Sequence, residues 1–311
     1  MIKNYKNRAI FFLFGIILII NTVLVTSVFF AFSSIIRKDY TQKLTSVANQ
    51  TSVNANGIFS FFEEEIEIFI NKYDVEEGLG GFSINMPDFV RMDSTSFENI
   101  LIFKGEEPVY ASTAQIVDFY RETGFDKKIL EFTKNKSSGW IINEEKDDVS
   151  SPYESLVYVR TIYDTDIKER VGCVIAEVSQ KQLIHLLNLD SAKDDVKQRE
   201  FLPHSVGICV NDKIYFFDDG NTPKIISNTS ELEAERNEMY FVNSIGEKKF
   251  YTVHNTKVMK NKISMVLFLL IVIFLVITFF SYRIFKFMVN EICERIDNLN
   301  RKMENYGDKS L

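Results

Sequence analysis

Residues 9–36 read AIFFLFGIILIINTVLVTSVFFAFSSII and residues 263–282 read ISMVLFLLIVIFLVITFFSY, neither with a charged side chain. A bilayer's hydrocarbon layer is about 30 Å thick, so about 20 apolar helical residues cross it. Both runs meet that length, and the chain is predicted to span a membrane at 9–36 and at 263–285. Lys3, Lys6 and Arg8 precede the first run as they would in a signal peptide. The run is far longer than a signal core of roughly 7–15 residues, however, and no A-x-A-like cleavage site follows it. It reads as an uncleaved anchor. Twenty uninterrupted apolar residues equally do not suit the core helix of a soluble domain.

Charge orients the two spans. Residues 1–8 carry three basic and no acidic groups and residues 283–311 carry six basic and five acidic ones, which leaves the segment 37–262 at −11 of a total of −7. Basic flanks favour the cytoplasmic side, so the expected arrangement has residues 1–8 and 286–311 inside and an acidic domain, 37–262, outside the plasma membrane. Nucleic acid is an unsuitable partner for so acidic a domain. Cys173 and Cys209 lie in it and Cys293 does not; both outer cysteines sit in strand-like apolar runs, as buried thiols do. His185, His204 and His254 are far apart in sequence, and no metal or cofactor is predicted.

Past the first span, Leu44, Val47, Thr51, Ala55, Ile58, Phe62, Ile66 and Phe69 recur at steps of three and four, the stripe of one long helix over about 39–72. The glycines of EEGLGG at 76–81 are expected to end it. Residues 100–112, ILIFKGEEPVYAS, read as a hairpin turning at Gly105. Helical patterns over 114–122 and 126–133 follow, then a small polar linker at 135–139 before a strand at Trp140. LVYVRTIYD at 156–164 and VGCVIAEV at 171–178 make the clearest antiparallel pair and the expected sheet centre. A short helix at 180–189 with Leu183, Leu186, Leu187 and Leu189 on one face precedes a charged linker, 190–200. A second strand set begins at Ser205, with strands at 213–217 and 249–256, turn residues at 218–221 and a polar segment at 227–237. The sum is an α+β domain with two sheets.

Beyond the second span, Val289, Ile292, Ile296, Leu299 and Met303 are spaced 3, 4, 3, 4. That narrow apolar seam among charged residues suits pairing with a second helix, so a homodimer is expected. Catalysis has no address: there is no glycine-rich phosphate loop, no H-E-x-x-H and no G-x-S-x-G. The acidic runs Glu63-Glu64-Glu65 and Asp147-Asp148 read as solvated faces, and the residues after the second span are too few for a kinase domain. The chain as it stands is predicted not to be an enzyme.

The hairpin ILIFKGEEPVYAS, the segment FDKKILEFTKNKSSGWI, the pair LVYVRTIYD and ERVGCVIAEVSQKQL, and RIDNLNRKMENYGD at 295–308 together resemble the amino-terminal portion of a YesM-type bacterial sensor histidine kinase. The resemblance implies a double Cache (PAS-like) sensor outside and the start of a HAMP helix inside. It implies a two-component signal transducer that detects an extracellular small molecule and passes a helix movement to the HAMP-type seam. It also implies a ligand pocket, and the residues placed to line or neighbour it are Trp140, Tyr158, Arg160, Tyr163 and Asp164. Phe125-Asp126 stands where amino-acid-sensing members carry a Trp-Tyr pair, and Arg295 precedes Ile296 where a HAMP helix commonly has proline. Two alternatives remain open: a ligand-binding or modulatory membrane protein complete at this length, and a chemoreceptor fragment.

Overall fold

The structure, a computed structural model, describes residues 2–72, 97–143, 155–164, 168–178, 180–187, 189, 200–218, 224–226 and 238–307. The helix-ending glycines at 76–81, Asp147-Asp148, the linker at 190–199 and the polar segment at 227–237 lie outside the described residues, as does most of the turn at 218–221.

The chain forms two units, one from residues 1–42 and 257–311 and one from residues 43–256. Two helices enter the first unit: α1, Ile2–Lys72, and α5, Lys257–Gly307. None of the residues in their apolar windows is buried. Phe11, Phe12, Met265 and Phe268 are each at least about two-thirds exposed (78%, 71%, 70% and 69%), so these helices are not core helices of a soluble fold. They run antiparallel: the Phe14 ring meets Tyr282 edge-on at 5.4 Å, and Lys262 Nζ lies 6.0 Å from the Tyr40 ring.

The second unit mixes helices with antiparallel sheets. In order it contains β1 (Phe97–Lys104), β2 (Glu107–Ala111), α2 (Ala114–Thr123), α3 (Phe125–Asn135), β3 (Ser138–Asn143), β4 (Ser155–Tyr163), β5 (Arg170–Val178) and α4 (Gln180–Leu186). Then come β6 (Ser205–Val210), β7 (Lys213–Asp218), β8 (Lys224–Ile226), β9 (Glu238–Ile245) and β10 (Lys248–Asn255). The first sheet has the order β2-β1-β5-β4-β3 and the second β8-β7-β6-β10-β9. Counted within each sheet, both contain the run second, first, fifth, fourth; only the third strand changes edge. The predicted β4–β5 pair is present, beside β1 at the middle of the first sheet.

One face of each sheet joins a single core sealed by α1. Ala55, Phe59, Phe62, Ile66 and Phe69 pack with Ile102, Tyr158 and Val174 of the first sheet and with Ile208, Phe217 and Phe250 of the second. The buried stripe on α1 passes through Ala48, Ser52 and Phe59, while Val47, Thr51 and Ile58 flank it half-buried. Small Ala48 and Ser52 sit in the centre; Asn243 donates to Ser52 Oγ at 3.0 Å from the second sheet. The other face of the first sheet is covered by α2 and α3 through Ile116, Tyr120, Phe125 and Ile129. Gly124, at φ 71°, lets the chain end α2 and start α3 without an intervening loop.

Several boundaries differ from the sequence reading. The strand at Trp140 starts two residues earlier, at Ser138, inside the expected linker. Leu186 is 39% exposed while Leu183, Leu187 and Leu189 are buried, because α4 ends at Leu186 and the last two leucines follow the turn beyond it. β9 has no counterpart in the sequence reading: its sequence, EMYFVNSI, carries the short apolar run MYFV at 239–242, and as an edge strand it leaves Val242 exposed while most of its other residues are half-buried.

Candidate functional site

The two sheets of the central unit leave a cleft of about 860 Å³ beside α1. Trp140 on β3 and Tyr158 on β4 form its aromatic wall, directly opposite each other in the ladder with ring centroids 5.1 Å apart. The β6–β7 turn at Asn211 and the β9–β10 turn at Gly246 close its far side. Asn211 and Asp212 both adopt positive φ (49° and 63°), the backbone of the tight hairpin turn that keeps β6 and β7 in register.

The cleft's polar centre is Glu63 of α1. The Trp140 indole Nε1 donates to its Oε1 at 2.7 Å, and Lys248 Nζ lies 3.0 Å from Oε2 and 2.9 Å from Oε1. One carboxylate on α1 therefore holds a side chain from each sheet. This corrects the reading of Glu63 as part of a solvated face: it is half-buried because the helix stripe turns it toward both sheets. Burial, the largest cause, raises the Tyr158 phenol above its usual pKa; Glu63 and Glu67 add to the rise, and the Ser138 hydrogen bond and Arg160 oppose it.

The structure brings some of the five predicted site residues together and separates others. Trp140 and Tyr158 share the cleft. Arg160 is on the same face of β4, but its guanidinium pairs with Glu67 of α1 and donates to the Thr161 carbonyl at 3.0 Å. Tyr163 is 38% exposed at the end of β4, after a register shift. Asp164 shapes the following turn: its N–H donates to the Glu169 carbonyl and its carbonyl accepts from Lys168.

A second polar cluster lies on the opposite face of the first sheet and was missed in the sequence. Glu177 of β5 is fully buried, and Asn99 of β1 donates to its Oε2 at 2.6 Å. Ser112 and Thr113 hydroxyls donate to Asn99 Oδ1 at 3.3 and 3.1 Å. Thr113 stands at the cap position of α2 but makes no capping bond, its hydroxyl being directed to Asn99. Burying a carboxylate costs several kcal/mol unless hydrogen bonds offset it, so this network fixes the β1–β5 register and the start of α2. The available signal was a single acidic residue at a core-facing position of VGCVIAEV.

Cys173 and Cys209 are free thiols. Cys173 is buried and Cys209 half-buried; burial pushes the Cys173 thiol up to about 12, and burial and Asp212 raise Cys209. Neither is poised as a thiolate at neutral pH.

No protein-family model matches the chain, and no curated protein matches its sequence. Among solved structures, the chain is similar to the extracellular domain of rpHK1S-Z16, which is named as a histidine kinase, at 11% identity and a TM-score of 0.43, covering 69% of this chain and 95% of that one. It is also similar to the ligand-binding domain of the Pseudomonas aeruginosa amino acid chemoreceptor PctC in complex with GABA, at 10% identity and 0.42, covering 68% and 96%. The periplasmic domain of Vibrio cholerae LuxQ matches at 10% and 0.37, covering 67% and 98%. Likeness at this level assigns no function to the chain.

Proposed function

We propose that the chain is a transmembrane sensor of the double Cache type: a ligand enters the cleft of an extracytoplasmic central domain, and the response reaches a HAMP-like cytoplasmic seam. The supporting observation is the continuity of α1. The same unbroken 71-residue helix carries the first apolar run and then Phe59, Phe62, Ile66 and Glu63, which seal both sheets and hold Trp140 and Lys248. At the other end only Thr256 separates β10 from α5. A ligand that binds one arrangement of Trp140, Glu63 and Lys248 better than another biases the helix that bears Glu63, which is all a two-state transducer requires.

In this reading both termini are cytoplasmic, the partner inside is a second copy of the chain, and the seam is Val289, Ile292, Ile296, Leu299 and Met303. Ile292, Ile296 and Leu299 are about half exposed or more in the single chain (54%, 49% and 62%), as residues reserved for a partner helix would be. Trp140 and Tyr158 contact the ligand, and Arg160 holds β4 to α1.

Thermal unfolding of the full chain in lipid nanodiscs tests the reading, with amino acids, sugars, carboxylates and short peptides as probes. A ligand at about 100 times its Kd stabilises the native state by about 2.7 kcal/mol. At least one class is expected to raise the unfolding temperature. No rise with any class at millimolar concentration contradicts a sensor of soluble small molecules.

A further inference from the structure

Among the described residues, β3 ends the first sheet and pairs with β4 alone. The ladder fixes which of its main-chain groups are spent. The Thr161 N–H donates to the Ser137 carbonyl at 2.7 Å, which makes 137 and 161 a hydrogen-bonded pair. In an antiparallel ladder such pairs alternate, so Gly139 with Val159, Ile141 with Val157 and Asn143 with Ser155 are bonded in turn. The N–H and C=O of Ser138, Trp140 and Ile142 therefore point away from β4.

Among the described residues, no strand pairs with that side. β6 comes close to β3 without joining its ladder. Ser138 and Trp140 line the 860 Å³ cleft, and Ile142 lines an adjoining cavity of about 430 Å³. Exposed edges are usually blunted by proline, by an inward charge or by a bulge. β3, SGWIIN, has neither proline nor charge, and its register with β4 is unbroken. A regular row of donors and acceptors thus opens onto a cleft, repeating every two residues, or about 7 Å.

We propose that this edge takes an extended peptide of about five residues, which adds to the first sheet as a further strand by exchanging main-chain hydrogen bonds with Ser138, Trp140 and Ile142. Main-chain bonds supply affinity in this mode, and alternate side chains supply specificity. Lys136 and Lys248 stand with Glu63 and Glu247 in the larger cavity, so the groove favours a peptide of no strong net charge. The proposal deepens the sensor reading by naming what enters the cleft, but occupation of the edge can be measured apart from signalling.

Residue-resolved amide exchange on the full chain in nanodiscs tests it. The probe is a pool of acetylated, amidated pentapeptides built from Ala, Val, Thr, Ser and Asn, followed by N-methylated forms of the best binder. In the free chain, the Ser138, Trp140 and Ile142 amides are expected to exchange fast, and those of Gly139 and Ile141 slowly. Bound peptide is expected to slow the first three by about tenfold or more. N-methylating the peptide at the alternate residues that face β3 is expected to abolish the effect, and methylating the intervening ones to preserve it. Slow exchange of all five amides in the free chain at every dilution overturns the proposal, because the chain then covers its own edge. Slowing that appears only at high protein concentration overturns it in favour of a second copy, and no slowing by any peptide at millimolar concentration overturns it outright. If the amides are protected while crosslinking at Leu299→Cys stays unchanged, the peptide site stands and the sensor reading fails.

Discussion

At the scale of single residues, Glu63 is the point on which the central unit turns. It serves a buried indole N–H and a half-buried ammonium from different sheets, so removing it strands both partners. Glu63→Ala is expected to cost about 2–3 kcal/mol in urea unfolding, and Glu63→Gln less, because an amide oxygen still accepts from Trp140. His254 makes a second prediction. It is fully buried, with Nδ1 3.0 Å from the Phe201 carbonyl and Nε2 3.1 Å from Thr252 Oγ1. Burial lowers its pKa to about 4, nearby His204 acts in the same direction, and the Phe201 carbonyl opposes them. The native state thus holds His254 neutral while the unfolded chain protonates near 6.5, so its contribution is complete above 6.5 and is lost as pH falls to about 4. Over that window the wild type is expected to lose about 3 kcal/mol more stability than His254→Gln, measured by unfolding at each pH. Trp140 and Tyr158 were named through the family resemblance, and the structure sets them opposite each other on paired strands. Glu63 was not legible, because an acidic triplet on a helix shows its sign but not which member the helix turns inward.

At the scale of elements, the stripe on α1 was readable to within one residue, since a 3.6-residue period leaves only its centre uncertain. β4 and β5 declared themselves by apolar, β-branched runs. β9 was missed although it carries MYFV at 239–242, because that run is short and is closed at once by Asn243 and Ser244, and the matching order of the two sheets is a long-range property that no local pattern carries. Glycines separate packing from propensity here. In β6, a Cβ on Gly207 would lie 2.8 Å from the ring of Phe216, its direct cross-strand partner, and 2.9 Å from Ile214. Gly207→Ala is expected to cost about 1–3 kcal/mol. Gly57 is on the exposed side of α1, and a Cβ added there would meet nothing within 4 Å, so Gly57→Ala is expected to stabilise by about 0.5–1 kcal/mol. Paired unfolding curves of the two variants, shifted in opposite directions, check both.

At the scale of the whole molecule, two charge-free runs marked out the two long apolar helices, while the orientation expected from the charge sum belongs to the sensor reading. The stripe over 39–72 and the seam past the second span already extended both runs beyond what a bilayer needs, and the structure makes each a single helix, one of 71 residues and one of 51. In the sensor reading, that surplus length turns each anchor into a rod able to carry a movement. Its destination, in the sensor reading, is the seam on α5, and the most direct measurement is a cysteine crosslinking scan along residues 289–303 in native membranes, in a Cys293→Ser background. Interchain crosslinks are predicted to peak at Val289→Cys, Ile292→Cys, Ile296→Cys, Leu299→Cys and Met303→Cys and to fall away at Glu294→Cys and Asn298→Cys. Absence of crosslinks at both 296 and 299, or crosslinks without that spacing, would contradict it.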